Sequence, residues 1–329
     1  NVLLVYALAG RLARRAGAAG DGQAVALFCA LLWGLHPLQL TSVLYVVQRM
    51  TSLSATFTLA AMLCWIEARR RWENAAHRGA ATGWLAACGG CFALGVFSKE
   101  NALLLPLYLA VIEWCLWRPT AAHDAGRRAA NWFFAATLLL PLLVGVALLL
   151  WRPGLLLDGY ASRPFTLAER LLTEARVLWF YLGLVLLPTP ARLGLYHDDI
   201  ALSTGLLAPW TTLPALAGWL LAALAAALLR RRAPVLAFAI AWFLAGHALE
   251  STVVALEIAH EHRNYLPSLG PLFAAVYGVA AFARHTGRRR LYGAAGVAVA
   301  LALGFATFGR AASWHSEETI IEALYRHHP

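Results

Sequence analysis

Long apolar runs alternate with short polar segments along almost the whole chain. Taken as spans, the runs cover approximately residues 24–40, 50–66, 82–97, 101–117, 131–151, 211–229, 234–257, 268–283 and 291–309. Runs of this length are typical of helices that cross a lipid bilayer. An earlier run, 2–9, is too short to cross before the arginines begin, so we interpret it as the remainder of a span that starts upstream. The pattern predicts an all-α membrane helix bundle of about 9–11 spans.

The distribution of charge sets the expected orientation of these spans. The chain is 60% hydrophobic and only 13% charged, which excludes an ordinary soluble domain. Arginines gather in five segments, which should be cytoplasmic by the positive-inside rule: 11–15, 69–78, 118–128, 230–232 and 284–290. The net charge of +10 is therefore explained by topology, and no nucleic-acid partner is predicted.

One apolar segment does not fit a simple crossing. Residues 177–187 are too few to span comfortably, and a crossing there would spoil the alternation of charge. Thr166 and Glu169 have the spacing of a capping box, which predicts a helix start. We expect a re-entrant or interfacial helix on the outer membrane surface, with a polar face made of Glu169, Arg170, Glu174 and Arg176.

The densest polar cluster lies at residues 259–268, between two apolar runs. Charged groups at such a junction usually serve an ion, a head group or a buried partner. Arg263 has the shape to bind a phosphate, with His262 and Tyr265 beside it, although it could instead pair with Glu261. Just upstream, helical spacing would place Glu250, Glu257 and Glu261 on one face, with His247 one turn earlier, in a structural or a functional role.

Two further polar sites interrupt the apolar runs. Lys99 is the only lysine among 27 basic residues, which predicts an ammonium that binds a phosphate or a nearby carboxylate. His36 and Pro37 break another run, and Gln48 and Arg49 then share a helical face that enters the next span. This pattern indicates either a discontinuous element lining a cavity or a packing kink.

The large outer loop contains His197, Asp198 and Asp199 in sequence. They could supply a base or metal ligands, but adjacent carboxylates without spaced partners are more typical of a solvated turn. No cofactor is therefore predicted, and a divalent metal is left open.

The runs Glu261 to Ser268 and Ser98 to Asn101, together with His36-Pro37 and Gln48-Arg49, resemble the membrane portion of transmembrane and tetratricopeptide-repeat proteins related to protein O-mannosyltransferases, especially bacterial ones. The resemblance implies a GT-C glycosyltransferase fold in the bacterial inner membrane. Such a protein moves a sugar from a polyprenyl-phosphate carrier to an extracytoplasmic acceptor, a glycan or protein Ser/Thr. Residues 1–309 would form the membrane domain, and 310–329 would begin a tetratricopeptide-repeat region.

The resemblance also assigns roles to residues. Arg263, Lys99 and Arg49 would bind the donor phosphate, and the other substrate-binding candidates are Gln48, His36, Glu100, His262 and Tyr265. The catalytic candidates are Glu261, Asp198 and Asp199: a carboxylate must accept the proton of the acceptor hydroxyl, a role for Asp198 or Asp199 if the upstream acid is not used, while Glu261 and Glu100 would orient the cations. The family's usual acid, in a first outer loop, would lie before Asn1.

Three alternatives stay open at the level of sequence. A transporter or flippase for an anionic lipid would use the same cations to hold a phosphate. An enzyme relative without activity would serve as a membrane anchor for exported repeats. An O-antigen ligase or polymerase is a rival within the same chemical class, since it also handles polyprenyl-linked sugars.

Overall fold

The computed structural model describes residues 1–18, 20–72, 78–117, 124–197 and 199–327. The described residues form helices and turns, and the pairing of Gly205 with Ala208 is an isolated bridge outside any strand. The α-helices are α1 Val2–Arg15, α2 Gly22–Gly34, α3 Thr41–Leu44, α4 Arg49–Trp72, α5 Arg78–Ser98, α6 Leu105–Leu116, α7 Asp124–Phe134, α8 Leu140–Trp151, α9 Gly154–Leu157, α10 Leu167–Leu186, α11 Thr212–Leu229, α12 Pro234–Gly246, α13 Leu269–His285, α14 Arg289–Ala312 and α15 Glu317–His327. A π-helical turn, Ala135–Leu139, joins α7 to α8.

The expectation of an all-α architecture is confirmed for the described residues, and the number of spans, predicted to be 9–11, stays a prediction. Five helical segments within the described residues are long and apolar enough to cross a membrane: Val46–Trp72, Gly79–Ser98, Arg128–Trp151, Thr212–Leu229 and Arg289–Ala312. The bent pair Gly22–Gly34 and Pro37–Leu44 would make a sixth.

Three of the predicted spans form shorter helices. The helices α6, α12 and α13 have 12, 13 and 17 residues. At about 1.5 Å per residue, 12 or 13 residues reach only about 20 Å, less than the hydrocarbon thickness of a bilayer. A 3₁₀ turn takes the start of the run that contains α6, and an irregular segment takes the end of the run that contains α12.

The break predicted at His36 and Pro37 is present, and the two helical pieces around it meet at 55°. His36 is in the extended conformation, and its Nδ1 accepts the Leu38 N–H at 3.2 Å. The other ring nitrogen, Nε2, lies 3.0 Å from the Val185 carbonyl oxygen of α10. A neutral imidazole protonated at Nε2 satisfies both contacts, so the side chain of His36 stabilises the bend and connects it to α10.

The two ends of the helix bundle differ in the charged residues that they carry. The helices α4 and α5 form a hairpin, and Lys99 follows the end of α5 near the start of α4. We call this the Lys99 end. At the other end, α1 finishes with Arg14 and Arg15, and α4 finishes with the residues Arg69 to Arg71. We call this the arginine end, and it coincides with two of the segments predicted to be cytoplasmic.

The helix α12 ends at Gly246, and residues 247–260 follow as turns and irregular chain. The predicted helical face of Glu250, Glu257 and Glu261 is therefore wrong, because the run is not helical over that range. The carbonyl oxygens of the irregular segment accept hydrogen bonds from a side chain instead of from helical N–H groups. Arg170 donates to the carbonyl oxygens of Glu250, Thr252, Leu256 and Glu257.

Arg170 lies on α10, which is one continuous helix of 20 residues and starts at the predicted capping box of Thr166 and Glu169. The expectation that Arg170 and Glu174 lie on a solvent-facing side of this helix is wrong. Their side chains are 0% and 2% exposed and form an ion pair at 3.0 Å. Buried backbone carbonyl groups need hydrogen-bond donors, and a guanidinium supplies five. The irregular segment thus explains why an arginine is buried here.

The polar tail contains a helix. The helix α15 starts at Glu317, shortly after Trp314, while α14 continues three residues beyond the expected boundary at 309. The division into a membrane domain and a repeat region stays a prediction.

Candidate functional site

Two polar networks of buried side chains occupy the Lys99 end. The first, called the Lys99 network, is centred on a buried ammonium group. Lys99 Nζ donates to Thr51 Oγ1 at 3.0 Å and to Gln48 Oε1 at 3.3 Å, and lies 3.4 Å from Glu250 Oε1. Asn101 Nδ2 donates to the other carboxylate oxygen of Glu250 at 2.8 Å. Of the two partners predicted for Lys99, a phosphate or a carboxylate, the structure shows the carboxylate.

Arg263 lies in the 3₁₀ turn Glu261–Asn264 and is buried. Its Nη1 donates to the Ile258 carbonyl oxygen at 3.0 Å and lies 4.0 Å from Glu174 Oε1. The expected alternative partner, Glu261, points elsewhere. Arg263 therefore joins the Arg170–Glu174 pair as a second cation, and its role as a phosphate ligand stays a prediction.

The second network, called the Glu261 network, is centred on a carboxylate whose side chain is fully buried. Glu261 Oε1 accepts the Gly194 N–H at 2.8 Å and lies 3.7 Å from His197 Nε2. Glu261 Oε2 accepts from Arg310 Nη2 at 2.6 Å, and Arg310 Nη1 donates to the Pro37 carbonyl oxygen at 2.8 Å. Three separate stretches of the chain meet at this carboxylate, and Arg310 connects it to a fourth at Pro37.

A cavity of about 480 Å³ adjoins the Glu261 network. Arg310, Gly194 and Pro37 belong to its wall, so the groups that hold Glu261 also face the cavity. Its other lining residues are mostly apolar and come from the loop after α10, the end of α14 and the start of α15: Pro188, Pro190, Leu193, Leu195, Phe305, Ala306, Gly309, Ala312, Ser313, Trp314, Thr319, Ile320 and Glu322. The cavity combines one guanidinium with an apolar wall.

The histidines between the two networks are neutral at physiological pH. Burial lowers the pKa of His262 to about 2, and the positive charge of Lys99 lowers it further in the same direction. Burial and Arg263 likewise lower the pKa of His260. The two rings stack with centroids 5.2 Å apart. Stacked neutral imidazoles can donate and accept hydrogen bonds without adding to the local positive charge.

Glu174 has the opposite shift, since burial raises its pKa to about 7 against the attraction of Arg170 and Arg263. The helix α10 is not among the candidate spans, and Glu174 Oε1 lies 3.0 Å from Arg170 Nη2. A carboxyl group with a raised pKa in the folded state stabilises the fold fully below its unfolded pKa and loses that contribution as the pH rises through the folded value.

We therefore expect the wild-type protein to lose stability relative to a Glu174→Gln variant as the pH rises from about 4.5 to above 7. Thermal unfolding of both proteins in detergent over this pH range measures the difference. Glu169→Gln on the exposed start of α10 serves as the control. A difference between wild type and Glu174→Gln that stays constant with pH would contradict the raised pKa.

The remaining predicted site residues have varied surroundings. Tyr265 packs edge-to-face on Trp33, and its hydroxyl accepts from Asn1 Nδ2 at 3.0 Å. Arg49 is exposed and donates to the Val43 carbonyl oxygen. Glu100 and Asp199 are exposed, and Asp198 lies outside the described residues. The structure thus gathers His36, Gln48, Lys99, Glu261, His262 and Arg263 near the two networks, and the ligand roles of the whole set stay predictions.

No group of three histidine, cysteine, aspartate or glutamate side chains is placed to hold a metal ion in the part of the chain that the structure describes. His197 is buried beside Glu261.

Sequence reasoning missed Arg310 as a site residue. It follows the last apolar run and is the only arginine between Arg290 and Arg326. A single arginine at the predicted outer end of a span, opposite the arginine-rich end, was the available signal.

Comparison with known proteins gives no relative. No protein-family model, no curated protein and no solved structure matches this chain.

Proposed function

We propose that this protein is a membrane glycosyltransferase that takes a sugar from a polyprenyl-phosphate carrier and transfers it to a protein or glycan acceptor at the extracytoplasmic face of the bacterial inner membrane. The single observation that carries the proposal is the cavity whose wall combines Arg310, the ion-pair partner of the buried Glu261, with apolar side chains. A GT-C-like arrangement of the helices, with α10 at the membrane interface, is part of the same proposal.

The cavity has the two surfaces that a lipid-linked sugar phosphate needs. Arg310 uses two of the five guanidinium N–H groups for Pro37 and Glu261, which leaves donors for a phosphate oxygen. On the other side, Phe305 belongs to α14, a candidate span, and is 79% exposed. An apolar chain lying against α14 would thus have its phosphate at Arg310.

The transfer chemistry requires one cation and one carboxylate at close range. The acceptor oxygen forms a bond to the anomeric carbon of the sugar while the bond from that carbon to the phosphate oxygen breaks. The polyprenyl phosphate leaves with the electron pair, and Arg310 stabilises its charge. The proton of the acceptor hydroxyl moves to Glu261, which Gly194 and His197 hold in position.

Lys99 has a supporting part in this proposal. Its ammonium is already bound to Glu250, Gln48 and Thr51, so it fixes the backbone around the turn between α5 and α6 and raises the positive potential near His262. Glu250 in turn connects Lys99 to Arg170, because its side chain contacts the lysine and its carbonyl oxygen accepts from the arginine.

The test is an Arg310→Gln variant assayed in membranes supplied with a polyprenyl-phosphate sugar. We expect transfer to fall about 100-fold, which is the usual effect of removing one donor that stabilises transition-state charge. Arg310→Lys keeps the charge but loses the planar fork, so an intermediate loss is expected.

Arg192→Gln is the matched control, because Arg192 is an exposed arginine on the loop that borders the same cavity and it does not contact Glu261. Thermal unfolding separates a damaged site from a damaged fold. Unchanged transfer by Arg310→Gln would refute the phosphate assignment. A wild-type protein that transfers no sugar from any carrier would favour the membrane-anchor alternative.

A further inference from the structure

A second cavity lies at the arginine end of the bundle, far from Glu261. It has a volume of about 330 Å³ and is lined by Arg11, Arg14, Arg15, Ile66, Glu67 and Arg70. The first three residues belong to the last turns of α1, and the other three to the last turns of α4. Four guanidinium groups and one carboxylate therefore share a small space.

The single carboxylate of this cavity does not offset the positive charge. Glu67 Oε1 accepts from Arg70 at 2.8 Å and from Arg71, outside the cavity, at 2.9 Å. Two arginines thus compete for the one acid. Like charges held this close repel each other, so an anion that entered the cavity would relieve the repulsion.

Several of the guanidinium groups are fixed by protein contacts that leave donors for a ligand. Arg11 Nη1 donates to the Ala7 carbonyl oxygen at 3.0 Å, and Arg70 is held by Glu67. The guanidinium of Arg15 lies 3.5 Å from the ring centroid of Trp117. One hydrogen bond occupies one of the five N–H groups of an arginine, so Arg11 and Arg70 can each donate further. Fixed forks of this kind suit phosphate oxygens better than carboxylates of a mobile chain.

The position of the cavity points to a lipid as the source of the phosphate. The helix α4 has 24 residues and starts near Lys99, so its other end is about 36 Å away along the axis. That distance spans the hydrocarbon layer of a bilayer and places the cavity at head-group depth on the opposite face. Ile66 contributes an apolar contact beside the arginines.

We propose that the cavity formed by Arg11, Arg14, Arg15 and Arg70 binds the phosphate of an anionic phospholipid in the leaflet opposite the Glu261 network. The site is independent of the sugar-transfer proposal, since it shares no residue with that site. Bound lipid would connect the ends of α1 and α4.

The test uses purified protein in detergent with added phosphatidylglycerol, phosphatidylcholine or soluble glycerol phosphate. A ligand that binds only the folded protein raises its unfolding temperature, and the dependence on ligand concentration gives the affinity. We expect phosphatidylglycerol to stabilise the wild type and phosphatidylcholine to have a much smaller effect. The triple variant Arg11→Gln, Arg14→Gln and Arg70→Gln should bind phosphatidylglycerol at least about tenfold more weakly.

The matched control is the triple variant Arg232→Gln, Arg288→Gln and Arg290→Gln, which removes the same charge from exposed positions of the same face. An equal loss of affinity in this control would show nonspecific attraction and overturn the proposal. Equal stabilisation by soluble glycerol phosphate would overturn the assignment to a lipid. If the first triple variant unfolds without lipid, the single variant Arg14→Gln, at an exposed position, is titrated in its place, and an unchanged affinity there overturns the proposal.

Discussion

Replacing Glu261 by glutamine is expected to reduce sugar transfer by about 10²–10⁴-fold, which is the usual contribution of a positioned general base. Glutamine has the size of glutamate and still accepts a hydrogen bond from the Gly194 N–H group, but it cannot take a proton from the acceptor hydroxyl. Arg310 would retain its bond to the Pro37 carbonyl oxygen. The measurement is the rate of transfer in membranes supplied with a polyprenyl-phosphate sugar.

Glu257→Gln is a suitable control for this experiment. Glu257 is a half-exposed glutamate four residues earlier, and its carboxylate pairs with Arg163 at 3.0 Å, away from the cavity. We expect this variant to transfer sugar at nearly the wild-type rate. Wild-type transfer by Glu261→Gln would show that Glu261 only positions Arg310 and that another group takes the proton. Binding of the donor, measured separately, should change less than the rate.

Replacing Arg170 by methionine is expected to lower the free energy of unfolding by at least about 3–5 kcal/mol, the usual result of removing one partner from a buried ion pair. Methionine fills much of the same space, so the expected loss of stability comes mainly from the lost polar contacts. Glu174 would be left buried without its closest cation, and four carbonyl oxygens of residues 250–257 would lose a donor. Thermal or denaturant unfolding in detergent measures the change.

Arg176→Met, on the same helix, provides the comparison. Arg176 is partly exposed and donates to the Ala201 carbonyl oxygen and to Ser203 Oγ, so about 1 kcal/mol is expected. The double variant Arg170→Met and Glu174→Gln removes the unpaired charge and should recover part of the loss, but the carbonyl groups remain without a donor. A single variant Arg170→Met as stable as the wild type would contradict this account of the irregular segment.

The elements that local chemistry determines could be predicted from the sequence. Proline at position 37 cannot continue the helix before it, and the bend lies where that rule places it. Thr166 and Glu169 form the capping box that their spacing indicates, because its hydrogen bonds involve only residues within one turn. The isolation of Lys99 in an arginine-rich chain indicated an ammonium that binds a phosphate or a nearby carboxylate, and the structure places it 3.4 Å from the carboxylate of Glu250.

The burial of Arg170 could not be predicted, because it depends on an irregular segment that starts about 80 residues later. The apolar run 234–257 gives no local sign that its helix ends at Gly246, so the unsatisfied carbonyl groups are invisible in the sequence. The partners of Glu261 are missed for the same reason. Gly194 and Arg310 lie 67 and 49 residues from it, and no periodicity connects them.

The two contacts of Glu250 have a consequence for how this protein can vary. A substitution that displaces α10 moves Arg170 and, through its hydrogen bond, the carbonyl oxygen of Glu250. The side chain of Glu250 then shifts relative to the ammonium of Lys99. Helix α10, the irregular segment 247–260 and the turn at Lys99 are remote in sequence and are therefore under joint geometric constraint. Acceptable changes at any one of them should come in compensating combinations, and the most tolerant positions should be the exposed apolar faces of α8 and α14, which make none of these contacts.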